Sequence, residues 1–157
     1  MATDSLQQTI DKTAREFLLS YRDASAQKEP ELLVRALAPD CTRQLAPSSY
    51  LAAVGLPPGF LLTNDMYKGK WAEQLPAVII QSTDILSLVV DAASLKAAAI
   101  AAHNAQFSDG EVRTLEFAYF LDFSEDGSKI AKILQFSDTD GSLKFQVKVD
   151  ELLGKAA

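Results

Sequence analysis

The chain has 157 residues, 48% of them hydrophobic and 23% charged, with a formal net charge of -6. That length fits one domain with a substantial core, residues 1–157, and that composition argues against a disordered chain. The acidic balance and the scattered basic residues argue against a nucleic-acid backbone or an anionic membrane as the main partner, since both need a basic face.

The single cysteine, Cys41, excludes an intramolecular disulfide,. Residues 1–9 are polar and lack the apolar stretch of a secretory signal,. The longest apolar run, residues 97–102, is far too short to span a bilayer,. The expected compartment is the cytoplasm.

Leu6, Ile10, Thr13, Phe17 and Tyr21 recur at helical spacing, with Ala14 and Leu18 beside them, and predict an amphipathic first helix,. Thr3, Asp4 and Ser5 are its candidate caps, and residues 27–30 break it,. Pro30 opens a short second helix that buries Leu32, Leu33, Ala36 and Leu37 and stops at Ala38-Pro39-Asp40,. Residues 41–46 read as a strand with Cys41, Arg43 and Leu45 on one face,. Residues 47–62 read as a long loop, a common place for a lid or a pocket mouth. Thr63-Asn64-Asp65 caps a third helix, on which Tyr67, Trp71 and Leu75 are spaced by four,.

Strand-like segments follow over residues 78–91, 94–107, 111–123 and 129–137,. The alanines of 94–107 favour helix by propensity. Their place between strand-like neighbours, and the Phe107-Ser-Asp-Gly turn, predict a strand instead. Asp126-Gly127 marks the last hairpin turn,. Residues 138–154 read as a polar tail with a short helix over 147–153. Helices followed by an antiparallel meander define the α+β class. The expected architecture is a cone-shaped, curved antiparallel sheet wrapped by about three N-terminal helices and enclosing one apolar pocket, a natural small-molecule site.

Several segments resemble the nuclear transport factor 2-like superfamily, in particular its SnoaL-like cyclases and the fungal ring-rearranging isomerases and cyclases of meroterpenoid and alkaloid pathways. They are Ala38-Pro-Asp-Cys-Thr-Arg-Gln-Leu-Ala-Pro-Ser-Ser49, Gly55-Leu-Pro-Pro58, Thr63-Asn-Asp-Met-Tyr67, Glu116-Phe-Ala-Tyr-Phe-Leu-Asp-Phe-Ser-Glu-Asp-Gly-Ser-Lys-Ile130 and Leu134-Gln-Phe-Ser-Asp138. The resemblance implies a cofactor-independent enzyme that acts on a large apolar intermediate, and a homodimer formed through the sheet. Many similar proteins carry Glu where Gln135 stands, and His or another polar residue where Arg43 stands. Residues 50–54 lengthen the loop before Gly55.

Glu116 is the leading catalytic candidate. It sits among Leu115, Phe117, Ala118, Phe120 and Leu121, where burial would raise its pKa into the acid/base range,. Pairing with a base, or a solvent-facing sheet edge, would explain it equally. Arg43 would hold a substrate carbonyl or enolate, or pair with Glu116. His103 is the only histidine, with an unperturbed pKa close to neutrality, and is a catalytic candidate that would help Glu116 transfer a proton. Its nearness to the Phe107 turn favours an exposed place at the rim. Asp138 is a candidate general base by resemblance and a turn cap by residue type. Tyr67 and Trp71 share a helix face and line either the pocket or the core. Tyr119 is a substrate-binding candidate opposite in parity to Glu116, so a regular strand cannot turn both inward, while a bulge could. Gln135 can orient a group but cannot transfer a proton.

No zinc-ligand spacing and no phosphate-binding glycine loop is present, so neither metal nor cofactor is expected. The expectation is a cofactor-free isomerase or cyclase on a secondary-metabolite intermediate, working by proton transfer and including semipinacol rearrangement or dehydration. The alternative is a non-catalytic binding or interaction module of the same fold.

Overall fold

A computed structural model describes residues 2–155. Met1, Ala156 and Ala157, included in the expected domain, lie outside the described residues. Helix α1 (Ala2–Gln27) buries a stripe of Ile10, Ala14, Phe17, Leu18, Tyr21 and Ala24. Each large apolar side chain so buried contributes about 1.5–3 kcal/mol. The helix stops where Lys28 takes φ +54°, and Glu29 N–H reaches back to Ala24 O at 3.0 Å,.

The expected second helix is only a 3-10 turn (Pro30–Val34), and Leu37 already belongs to strand β1 (Leu37–Ala46). The expected long loop contains helix α2 (Ser48–Ala53) and strand β2 (Leu61–Thr63). Helix α3 (Asn64–Gln74) starts at the predicted cap, where Thr63 Oγ1 accepts Met66 N–H at 3.2 Å. Strands β3 (Val78–Asp91), β4 (Lys96–Phe107), β5 (Val112–Phe123) and β6 (Ile130–Ser137) follow. The expected polar tail forms a full helix, α4 (Thr139–Leu152).

The six strands form one curved sheet in the order β2-β1-β6-β5-β4-β3. Neighbours are antiparallel except the parallel pair β1–β6. Strand β4 forms despite its helix-favouring alanines, because tertiary context outweighs propensity. Ala97, Ala99 and Ala101 fall on its inner face, in the same buried cluster as Phe17, Leu18 and Tyr21. Their small side chains let α1 lie close against the sheet.

Two bulges shift the β3–β4 register, between Ile80 and Ser82 and between Ile85 and Ser87. A bulge bends a strand and flips its subsequent alternation. The first one pairs Thr83 with His103 on the inner face and leaves Asp84 exposed. A smaller cluster of Ala77, Val78, Ala105, Phe107 and Val149 seats α4. Among the described residues no helix is long and apolar enough to cross a membrane.

Candidate active site

A cavity of about 150 Å³ opens between the inner face of the sheet, α1, α3 and α4. Its apolar lining includes Leu62, Trp71, Ile80, Leu115, Phe117 and Phe145. Tyr21, Tyr67, His103, Tyr119 and Gln135 supply polar groups, joined by Ser142 and Gln146 from α4. No carboxylate is among the lining residues.

Behind this lining lies Arg43, 3% exposed. Its Nη1 donates to Tyr21 Oη at 2.7 Å and to Gln135 Oε1 at 2.9 Å. Its guanidinium carbon stands 3.5 Å from the centre of the Tyr67 ring, a close cation–π contact. Among the described residues no carboxylate lies within 4.0 Å of it. Burial opposes the charge, but the surrounding phenol oxygens of Tyr21 and Tyr67 outweigh it and hold the group protonated. A buried cation held only by neutral groups is costly, so this arrangement concentrates positive potential on the cavity wall.

His103 is 2% exposed and lines the cavity. Its Nδ1 is 2.8 Å from Thr83 Oγ1 and its Nε2 is 2.9 Å from Tyr119 Oη. Burial, then the charge of Arg43, lowers its pKa to about 4, so the ring is neutral at neutral pH. A neutral imidazole has one donor and one acceptor, and here both are occupied by hydroxyls that can reverse direction. Burial pushes the Tyr119 and Tyr67 phenols well above 10. Together Thr83, His103 and Tyr119 form a hydrogen-bonded chain along the inner wall, with Tyr21 4.6 Å from the imidazole, ring centre to ring centre.

Of the residues expected at the site, the structure brings Arg43, Tyr67, Trp71, His103, Tyr119 and Gln135 together. His103 is buried rather than at the rim, because β4 turns it inward beneath α1. Glu116 is a correction: it is exposed on the outer face, paired across from Ala102. The parity argument separates it from Tyr119, and the inward face is Tyr119's. It therefore makes no pair with Arg43. Asp138 is also exposed, as the N-cap residue of α4, and does not line the cavity.

Tyr21, Thr83 and Ser142 did not emerge from the sequence as site residues. Tyr21 carried a usable signal, since a phenol at the end of a buried apolar stripe needs a partner for its hydroxyl. Thr83 gave none, because only the bulge turns it inward. Among the described residues no group of three His, Cys, Asp or Glu side chains is arranged to hold a metal ion.

No family model and no characterised protein sequence matches the chain. Solved structures do. The BvnE pinacolase from Penicillium brevicompactum superposes with a TM-score of 0.73 at 20% identity, covering 91% of this chain and 92% of that one. PrhC from Penicillium brasilianum gives 0.71 at 16% identity, over 94% and 91%. A nuclear transport factor 2-like protein of unknown function from Burkholderia pseudomallei gives 0.60 at 17% identity, over 87% and 95%. The chain has the nuclear transport factor 2-like fold.

Proposed function

We propose that the protein is a cofactor-independent isomerase or cyclase that rearranges an apolar, oxygen-bearing secondary-metabolite intermediate inside the cavity. The observation that carries this reading is Arg43, a buried guanidinium without a carboxylate, bonded to Tyr21 and Gln135 at the cavity wall. A phenol that accepts from a guanidinium is itself a stronger donor. Tyr21 is thus suited to polarise a substrate carbonyl and to stabilise the negative charge that grows on its oxygen.

The chemistry that suits these groups is a 1,2-shift of the semipinacol kind in a hydroxyketone. The carbinol O–H breaks as its C–O becomes a carbonyl. One carbon substituent migrates with its bonding pair to the neighbouring carbonyl carbon. The former carbonyl oxygen takes up the proton, so the product is an isomer. Tyr21 faces the accepting oxygen, and the Tyr119–His103–Thr83 chain receives and returns the proton. The apolar walls hold one reactive conformer. That a pinacolase shares the fold supports this choice.

The test is incubation with a panel of apolar α-hydroxyketones, read by mass spectrometry for products of unchanged mass and new retention. Tyr21→Phe is expected to lower turnover about 10²–10³-fold, the loss typical of one preorganised donor. Equal turnover by Tyr21→Phe rejects the mechanism.

A second reading, a non-catalytic small-molecule binding module, is favoured by one observation: no carboxylate is among the lining residues of the cavity, which leaves the buried His103, its pKa lowered to about 4, as a weak base. Trp71, the single tryptophan, lines the cavity and reports binding directly. Saturable quenching of Trp71 by the same compounds, with no turnover of any, would favour that reading.

A further inference from the structure

Helix α4 forms one wall of the cavity through Ser142, Phe145 and Gln146. Ser142 is 6% exposed, and its Oγ has no hydrogen-bond partner among the described residues. A helical serine can bond back to the carbonyl four residues earlier. Here that carbonyl, Asp138 O, accepts the Ser142 N–H at 2.9 Å, and the hydroxyl does not join it. Among the described residues the other buried side-chain polar atom without a partner is Arg35 Nε, whose residue lines a separate surface groove. The neighbouring amide is engaged: Gln146 Oε1 accepts from Gln74 Nε2 at 3.1 Å, and its Nε2 donates to Asp150 Oδ1 at 3.0 Å. Ser142 therefore holds, in the wall of the cavity, a donor and an acceptor that the fold itself does not use, in a place where an unmade hydrogen bond is costly,.

We propose that Ser142 Oγ is a second anchor in the cavity, binding a neutral oxygen of the ligand, a hydroxyl or a carbonyl. The proposal rests on the reading of the cavity as a small-molecule site. It narrows the ligand class to an apolar skeleton with at least two oxygen functions, one met by Tyr21 and Gln135 and one by Ser142. A hydroxyl or carbonyl matches the uncharged serine hydroxyl as donor or acceptor. Trp71, Leu115, Phe117 and Phe145 give the skeleton its apolar surface.

Two measurements test the anchor. In the free protein, Ser142→Ala removes an unpaired buried hydroxyl and raises helix propensity, so Tm stays level or rises by about 1–4 °C. A fall of several degrees shows that the hydroxyl is already engaged without ligand, and overturns the anchor. For binding, Trp71 fluorescence is titrated with decalin and steroid monoketones and with the matching hydroxyketones. Wild type is expected to prefer hydroxyketones, and Ser142→Ala to lose about 3–10-fold of that preference, the value of one neutral hydrogen bond. Monoketone affinity stays unchanged. An equal preference in both proteins overturns the anchor and leaves the cavity reading intact. Failure of every compound to perturb Trp71 in wild type overturns the cavity reading, and the anchor with it.

Discussion

Arg43 and His103 show how much a single side chain depends on what surrounds it. Arg43 keeps its charge in the interior because two phenols and one amide face it. Arg43→Met keeps the apolar stem and deletes the charge; it removes the cost of a buried cation but leaves Tyr21 Oη and Gln135 Oε1 without their donor,. On the proposed mechanism, Arg43→Met loses at least tenfold in kcat with little change in KM. Turnover within twofold of wild type would show that the cation serves the fold alone. His103 has a pKa lowered from 6.5 to about 4. Between those values the unfolded chain takes up a proton that the folded one refuses, so this group's contribution is present above pH 6.5 and falls away as pH drops toward 4. The loss is on the order of 3 kcal/mol. Urea unfolding at pH 7 and pH 4.5 should show a steeper loss in wild type than in His103→Gln, where this term is absent. Parallel losses would refute the neutral buried imidazole. Glu116 carried the opposite lesson. An acidic residue among apolar neighbours reads as buried, but alternation alone placed it opposite Tyr119, and it is exposed.

At the level of elements, the hairpin turn between β5 and β6 is tied to α1. Gly127 has φ +74°, and a Cβ there would lie 2.8 Å from Ile10 Cγ1. Its carbonyl accepts from Thr13 Oγ1 at 2.8 Å. Gly127→Ala therefore combines a left-handed backbone with a clash, and should cost about 2 kcal/mol. Chemical denaturation measures it; a midpoint equal to wild type would mean that the turn is not held against the helix. This Asp-Gly turn was legible, as were α1, the Thr63 cap of α3 and the extent of β3, because each depends on local spacing or turn chemistry. Helix α4 was only half legible. Its polar first turns, Asp138 to Lys144, carry little periodicity. The helix gains its support from distant partners: Phe145 stacks tilted against Phe107, and Lys148 pairs with Asp109 and Glu111.

At the scale of the whole molecule, the outer face of the sheet exposes large apolar side chains. Ile100, Ala118 and Phe136 form one row across β4, β5 and β6, and Ala98, Phe120 and Leu134 form the next. Ile100, Phe120 and Phe136 are 44%, 49% and 42% exposed. Adjacent exposed apolar side chains of this size are the kind of surface that a partner would cover. We propose a second copy of the chain as its partner, in keeping with the expected homodimer. Sedimentation should give a dimer for wild type and a monomer for Phe120→Glu. A monomeric wild type at micromolar concentration would dispose of the proposal.

The order of elements, the α+β class and the separation of Glu116 from Tyr119 were determined by the sequence itself, because periodicity, caps and turns act over a few residues. On β5 the face of Leu115, Phe117, Tyr119, Leu121 and Phe123 is already more apolar than that of Thr114, Glu116 and Asp122. Which face of the alanine-rich β4 looks inward was decided only in three dimensions, because alternation there defines two candidates without ranking them. The choice follows from where α1 packs, from the bulge that turns Thr83 toward His103, and from the helix that brings Ser142 to the cavity wall.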